Sequence, residues 1–140
     1  MFDEQSVRHE VEAAYRHYID VFNQRNRAAF VACFESSHSQ LIGPHPIALI
    51  TDHDKFYKDL MEGLDEVQWG RSGIDRMEVV AYSNSLAQLI VDLTRYRTDG
   101  SVLERPYGIY MYRKKNGVWR VVSATATETP IARMSDIVPG

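Results

Sequence analysis

Four sets of side chains have the types and spacing that chemistry needs. Tyr18 falls on the apolar stripe of a candidate amphipathic helix, where a phenol turned into a cavity can polarise a substrate oxygen by donating a hydrogen bond. Arg95 and Glu104 fall opposite one another across a candidate hairpin. A guanidinium and a carboxylate placed so can bind a carboxylate or position a water, and Glu104 can act as acid or base. Tyr110, Tyr112, Ser123 and Thr125 add neutral hydroxyls, which suit the orientation of a largely apolar ligand. Trp69, beside Gly70 and ahead of a strand, can close a pocket mouth. Each type also has a plainer use: a buried tyrosine with a satisfied hydroxyl, a cross-strand ion pair, or packing in a loop.

Other chemistries find less support. His38, His45 and His53 lie near Asp52 and Asp54, but a turn and a strand separate them and no i, i+4 histidine pair shares a helix face, so no metal site is expected. The chain has no Gly-rich phosphate loop, nucleophile elbow or Cys–His pairing, and no cofactor is expected. Its 140 residues are enough for one domain with one core. With charges mixed in sign and a formal net charge of −3, neither nucleic acid nor an anionic membrane is an expected partner. Arg113-Lys114-Lys115 precedes a turn and reads as a solvated strand end. Cys33 is the single cysteine, set among Phe30, Val31, Ala32 and Phe34, so a buried thiol in a reducing compartment is expected. Without a signal-peptide pattern or a membrane-length apolar run, the expected location is cytoplasmic.

The elements that would position these residues follow from periodicity. Val7, Val11, Ala14, Tyr15, Tyr18 and Phe22 recur at helical spacing from Ser6 onward, a long amphipathic helix. Residues 23–26 interrupt it, and Asn26 can cap a second short helix carrying Ala29, Phe30, Cys33 and Phe34. Leu41-Ile42 and residues 47–50 read as two short strands around Gly43-Pro44-His45-Pro46. Thr51 or Asp52 then caps a third helix over residues 52–63, ending near Gly63. Four long strands follow over residues 74–82, 86–98, 102–115 and 118–128, the last three joined by Asp99-Gly100 and Asn116-Gly117. Such dipeptides are strong hairpin signals because they supply positive φ. Residues 1–129 read as one domain, and 130–140 as a tail or an arm reaching a neighbour.

The hairpins assign faces, because register decides which side chains share a side. Two-residue loops put Arg95 opposite Glu104, Leu89 opposite Tyr110, Tyr112 opposite Val121, Tyr110 opposite Ser123 and Gly108 opposite Thr125. One face then runs from apolar Leu89 and Val91 to the polar candidates, with Asp92 on the reverse. The reverse face carries Ile109, Met111 and Val122. Two apolar faces need two covers, and the helices suffice for one. A two-fold homodimer through Ile109, Met111 and Val122 is the expected second cover. Pro106 predicts a bulge or bend nearby.

The run Tyr18-Ile19-Asp20-Val21-Phe22-Asn23 followed by Ala28-Ala29-Phe30-Val31-Ala32-Cys33-Phe34, together with Asn116-Gly117-Val118-Trp119-Arg120-Val121-Val122, resembles the NTF2-like (SnoaL-like) superfamily over nearly the whole chain. The resemblance implies an α+β fold, the NTF2-like cone, with N-terminal helices packed on one face of a curved antiparallel β-sheet. It also implies a pocket between the first helix and the sheet for a small apolar or aromatic molecule, in a protein that is either a cofactor-independent isomerase, dehydratase or cyclase or a non-catalytic dimerisation or protein-binding module. Tyr18 looks like the hydrogen-bonding tyrosine of ketosteroid isomerase. The position of that enzyme's proton-shuttling aspartate falls near Gly43, where the sequence departs from the pattern and has no carboxylate.

Overall fold

In the computed structural model, residues 3–133 are described. Helix α1 spans Glu4–Asn23, started by Asp3, whose carboxylate accepts from the backbone N–H groups of Gln5 and Ser6. Its stripe of Val7, Val11, Tyr15, Tyr18 and Phe22 is buried. The chain then turns through Arg25 at φ 55° into α2, Arg27–Val31, with Asn26 as the expected cap, accepting from Ala29 N–H. Strand β1 follows at once over Phe34–Ile42, so Phe34 begins a strand and is not the end of a helix. After β2, Ala48–Ile50, Asp52 caps α3, His53–Glu66, by accepting from Lys55 N–H. That helix runs through Gly63 and stops only where Gln68 takes φ 63°.

The remaining strands are β3, Trp69–Tyr82, β4, Leu86–Arg97, β5, Val102–Glu104, β6, Tyr107–Lys115, and β7, Val118–Thr127. They form one sheet in the order β2-β1-β7-β6-β4-β3, with β5 paired to β4. Every pairing is antiparallel except β1 with β7. The helices lie on one face, where Trp69, Leu89, Val91, Tyr112 and Val121 close the core beneath α1. The α+β architecture with helices on one side of a curved sheet is therefore present as expected.

Curvature enters through irregular pairing. The β3–β4 register shifts three times, and extra residues on one strand bend it and increase local twist. At Asn116-Gly117 both residues have positive φ, 53° and 78°, as a type I′ turn requires. The other hairpin differs in detail. Arg97 N–H donates to Ser101 O and Gly100 N–H to Arg97 O, a three-residue loop. A shift between Arg95 and Tyr96 then cancels the extra residue, so Arg95 still pairs with Glu104. Pro106 splits the predicted third long strand into β5 and β6 without changing register, for Asp92 pairs with Tyr107 beyond it.

Polar side chains toward both ends of α1 tie it to the sheet. Asn23 donates from Nδ2 to Ser72 O at 2.9 Å and accepts from Ser72 N–H at 2.7 Å, as a neighbouring strand would. At the other end Glu10 accepts from Lys114, Trp119 Nε1 and Ser6, and these bonds lower its pKa to about 2. Asn23→Ala leaves a backbone N–H and C=O of the buried Ser72 without partners. Each such group costs roughly 1–3 kcal/mol, so the urea midpoint should fall with an unchanged m-value. A midpoint equal to wild type would show that the strand end is held some other way.

Candidate functional site

Between α1, α3 and the sheet lies a cavity of about 450 Å³. Helix α1 contributes Tyr18 and Phe22, α3 contributes Phe56 and Leu60, and the sheet contributes Gln40, Arg95 and Tyr110, with Glu104 at the side. Such a volume suits a small organic ligand. Gly108 gives Tyr110 its place: a Cβ there would stand 2.9 Å from the Tyr110 ring and 3.2 Å from Val91. The missing side chain lets the ring lean back along β6.

Tyr18 is packed among rings. Its centroid lies 5.5 Å from Tyr15, 5.4 Å from Phe30, 5.8 Å from Phe34 and 5.9 Å from Tyr110. Burial, reinforced by the neighbouring phenols of Tyr110 and Tyr112, holds its hydroxyl well above the ordinary tyrosine pKa. Tyr18 is thus a fixed hydrogen-bond donor and neither an acid nor a base. Across the cavity Arg95 Nη1 donates to Glu104 Oε1 at 2.7 Å. Arg95 Nε is buried without a hydrogen-bond partner, so this guanidinium keeps a donor unspent.

Four of the expected site residues, Tyr18, Arg95, Glu104 and Tyr110, therefore line one cavity. The other four do not. The β6–β7 register shifts between Met111 and Tyr112, so Tyr110 pairs with Ala124 and Gly108 with Ala126 in place of Ser123 and Thr125. Past that bulge β7 is turned over. Ser123 and Thr125 stand on the reverse face, where Ser123 Oγ accepts from Ser39 Oγ at 2.9 Å, while Ala124 and Ala126 take the inner positions. Tyr112 faces inward but is sealed in the core, 1% exposed. Trp69 is no mouth residue: fully buried in β3, it donates from Nε1 to Ser72 Oγ and packs edge-on against Phe22.

Sequence reasoning missed the wall formed by β1. His38 and Gln40 share the inner side of that strand with Phe34, and His38 stacks on the Phe34 ring at 4.3 Å. His38 Nδ1 lies 2.8 Å from His53 Nε2, and His38 Nε2 lies 2.9 Å from Gln40 Oε1. Burial lowers the pKa of both histidines, although Asp52 and Asp54 oppose it at His53. The available signal was parity: extending the Leu41-Ile42 strand backward puts Phe34, His38, Gln40 and Ile42 on one side. Neither His45 nor a carboxylate joins the pair, and among the described residues no group of three or more His, Cys, Asp or Glu converges on a metal-sized site.

The helices, the sheet order and this cavity can now be set beside known proteins. Residues 9–129 match the family described as NTF2-like protein (DUF6841). The chain belongs to that NTF2-like family. Similar solved structures include an NTF2-like protein of unknown function from Pseudomonas putida KT2440, at 12% identity and TM-score 0.72, covering 95% of this chain and 93% of that one. A ketosteroid isomerase-like protein from Erwinia carotovora atroseptica SCRI1043 aligns at 21% identity and TM-score 0.64, covering 86% and 95%. A protein of unknown function with a cystatin-like fold from Nostoc punctiforme PCC 73102 aligns at 13% identity and TM-score 0.70, covering 86% and 90%. At these identities the likeness concerns the NTF2-like fold. No curated protein matches the chain in sequence.

The core beneath the cavity offers a direct test of packing. The buried Tyr112 hydroxyl has no hydrogen-bond partner, and an unpaired buried hydroxyl destabilises. Tyr112→Phe is therefore expected to leave the melting temperature unchanged or raise it, by up to about 1 kcal/mol of stability. A clear loss in calorimetry would mean that the hydroxyl holds a bonded partner such as a buried water.

Proposed function

We propose that this NTF2-like protein binds a small, largely apolar or aromatic molecule bearing an accepting oxygen in the cavity between α1, α3 and the sheet. The observation that carries the reading is the meeting, on one cavity of about 450 Å³, of aromatic walls with Tyr18, Tyr110 and the Arg95–Glu104 pair. Rings supply apolar contact, while a few fixed donors orient the ligand. Tyr18 donates to the ligand oxygen, and Arg95 can accept a second anionic or carbonyl group without releasing Glu104. If the ligand is turned over, the chemistry is proton transfer without a cofactor, as in isomerisation, dehydration or cyclisation. Tyr18 would then stabilise developing negative charge and Glu104 would act as acid or base. The similarity in fold to a ketosteroid isomerase-like protein supports this class. A cytoplasmic setting fits Cys33, whose thiol burial pushes up to about 11.

A panel of aryl ketones, aryl carboxylates and naphthols in a thermal-shift assay tests the binding. A ligand at about a hundred times its dissociation constant stabilises by roughly 2.7 kcal/mol, a shift of several degrees. Tyr18→Phe should diminish it for the carbonyl ligands. No shift from any class would remove the main support for a ligand site.

The second reading is a module that works by self-association. Ile109, Met111 and Val122 remain only partly buried on the reverse face. The chain's own Arg133 covers another part of that face, pairing with Glu78 and Asp92 at 3.1 Å each. Residues 130–133 thus return to their own sheet, and the rest of the proposed tail, 134–140, lies outside the described residues. A two-fold dimer would bury the uncovered part. Met111→Glu should convert dimers to monomers in sizing chromatography coupled to light scattering, and an unaltered mass would refute this interface.

A further inference from the structure

The β1 wall of the cavity holds a device that neither the fold nor the proposed ligand site requires. His53 Nε2, His38 Nδ1, His38 Nε2 and Gln40 Oε1 form one unbroken chain with steps of 2.8 and 2.9 Å. His38 is 1% exposed and His53 9%, whereas Gln40 lines the cavity. The chain thus begins at the N-terminus of α3 and ends at the cavity.

Hydrogen-bond counting gives its properties. In a neutral chain each imidazole has one N–H and one lone pair. Two arrangements satisfy every link. In one, His53 donates to His38, which donates to Gln40 Oε1 and leaves the amide NH₂ to the cavity. In the other all links reverse, the Gln40 amide is turned, and its carbonyl faces the cavity. A third state adds one proton, making His38 an imidazolium that donates at both nitrogens. Two imidazolium rings would set N–H against N–H at 2.8 Å, so the pair takes up one proton and not two. In the charged state only the amide with its NH₂ toward the cavity fits.

We propose that the His53–His38–Gln40 chain is a one-proton specificity switch, which in its charged state commits Gln40 to donate to an anionic or carbonyl oxygen of the ligand. The proposal rests on the cavity reading above and deepens it by naming the group the ligand presents to β1. The charged and titratable neighbours are few. Asp52 and Asp54 on α3 favour charge on His53, and Asp54 is itself paired with Arg27 of α2. His38 feels His53 and Gln40, and the rings of Phe34 and Phe56 packed against it carry no charge. His45, Glu104 and Glu128 line the same cavity but stand outside the chain. Because burial dominates, the pair is neutral at neutral pH and charges on acidification below the ordinary histidine range. An oxygen-bearing anion bound at Gln40 must raise that midpoint, and by reciprocity acidification must tighten its binding.

Two measurements on the full chain test this. In nitrogen-15 NMR of the free protein, both imidazoles and the Gln40 side-chain NH₂ should shift with one common midpoint. Separate midpoints, or a Gln40 amide that does not respond, overturn the switch whether or not any ligand binds. Calorimetric titration with naphthalene-2-sulfonate, which stays anionic throughout, should then show affinity rising at least about fivefold from about pH 8 to about pH 5. In Gln40→Leu, which keeps His45, Glu104 and Glu128, most of that dependence should vanish. An equal pH dependence in the two proteins assigns it to the other groups and overturns the proposal. A common NMR midpoint with no binding at any pH overturns the cavity reading, and the specificity role with it.

Discussion

Helix α1 lays Val7, Val11, Tyr15, Tyr18 and Phe22 in one stripe against the sheet. A flat sheet would meet that cylinder only along a line. To bury the stripe, the sheet must wrap around it, and long antiparallel strands curve where extra residues break the ladder. The irregularities between Ile74 and Arg76, Val79 and Ala81, and Met111 and Tyr112 are therefore part of how the core closes. They also decide which side chains face inward beyond each break.

The cavity follows from the same wrapping. Elsewhere the core beneath α1 is filled by fully buried residues such as Leu89 and Val121. Toward β1 and the ends of β6 and β7 the inner positions fall to Gly108, Ala124 and Ala126. Small residues there leave a space that Tyr110, leaning over Gly108, only partly fills. Polar groups at that end, Arg95, Glu104 and Gln40, come from β4, β5 and β1.

How much of this could be read in the sequence varied with range. Helices, caps at Asn26 and Asp52, and the Asn116-Gly117 turn depend on nearest neighbours, and local chemistry was enough to find them. The Arg95–Glu104 pair was found despite a loop longer than expected, because two opposite one-residue errors cancelled. The bulge opposite Met111–Tyr112 has no local mark: Val122-Ser123 reads as ordinary strand, and only the demand for curvature turns Ser123 and Thr125 outward. Trp69 was misplaced because Gly70 looked like a loop. Instead Gly70 lets β3 pass Arg97 and Thr98, whose backbone atoms would lie about 3.0 Å from any Cβ there. His38 was weighed only as a metal ligand and not as part of the cavity wall, because Glu35-Ser36-Ser37-His38 lacks the apolar alternation that announces a strand.

The distribution of protons limits what the cavity can do. A phenol as buried as Tyr18 can donate a hydrogen bond at any physiological pH but cannot accept a proton. Any reaction there must therefore move its proton through another group. Glu104 is tied to Arg95, which holds the carboxylate in place while leaving its second oxygen free to work. Tyr15 and Tyr112, held well above the ordinary phenol range by burial, are as inert as Tyr18. The sheet side thus offers the carboxylates of Glu104 and Glu128, and the β1 side one shared imidazole proton with His45 nearby. A ligand spanning the cavity would meet a fixed donor on α1 and an adjustable group on each flank, an arrangement able to discriminate ligands by where their oxygens lie even if no bond is ever broken.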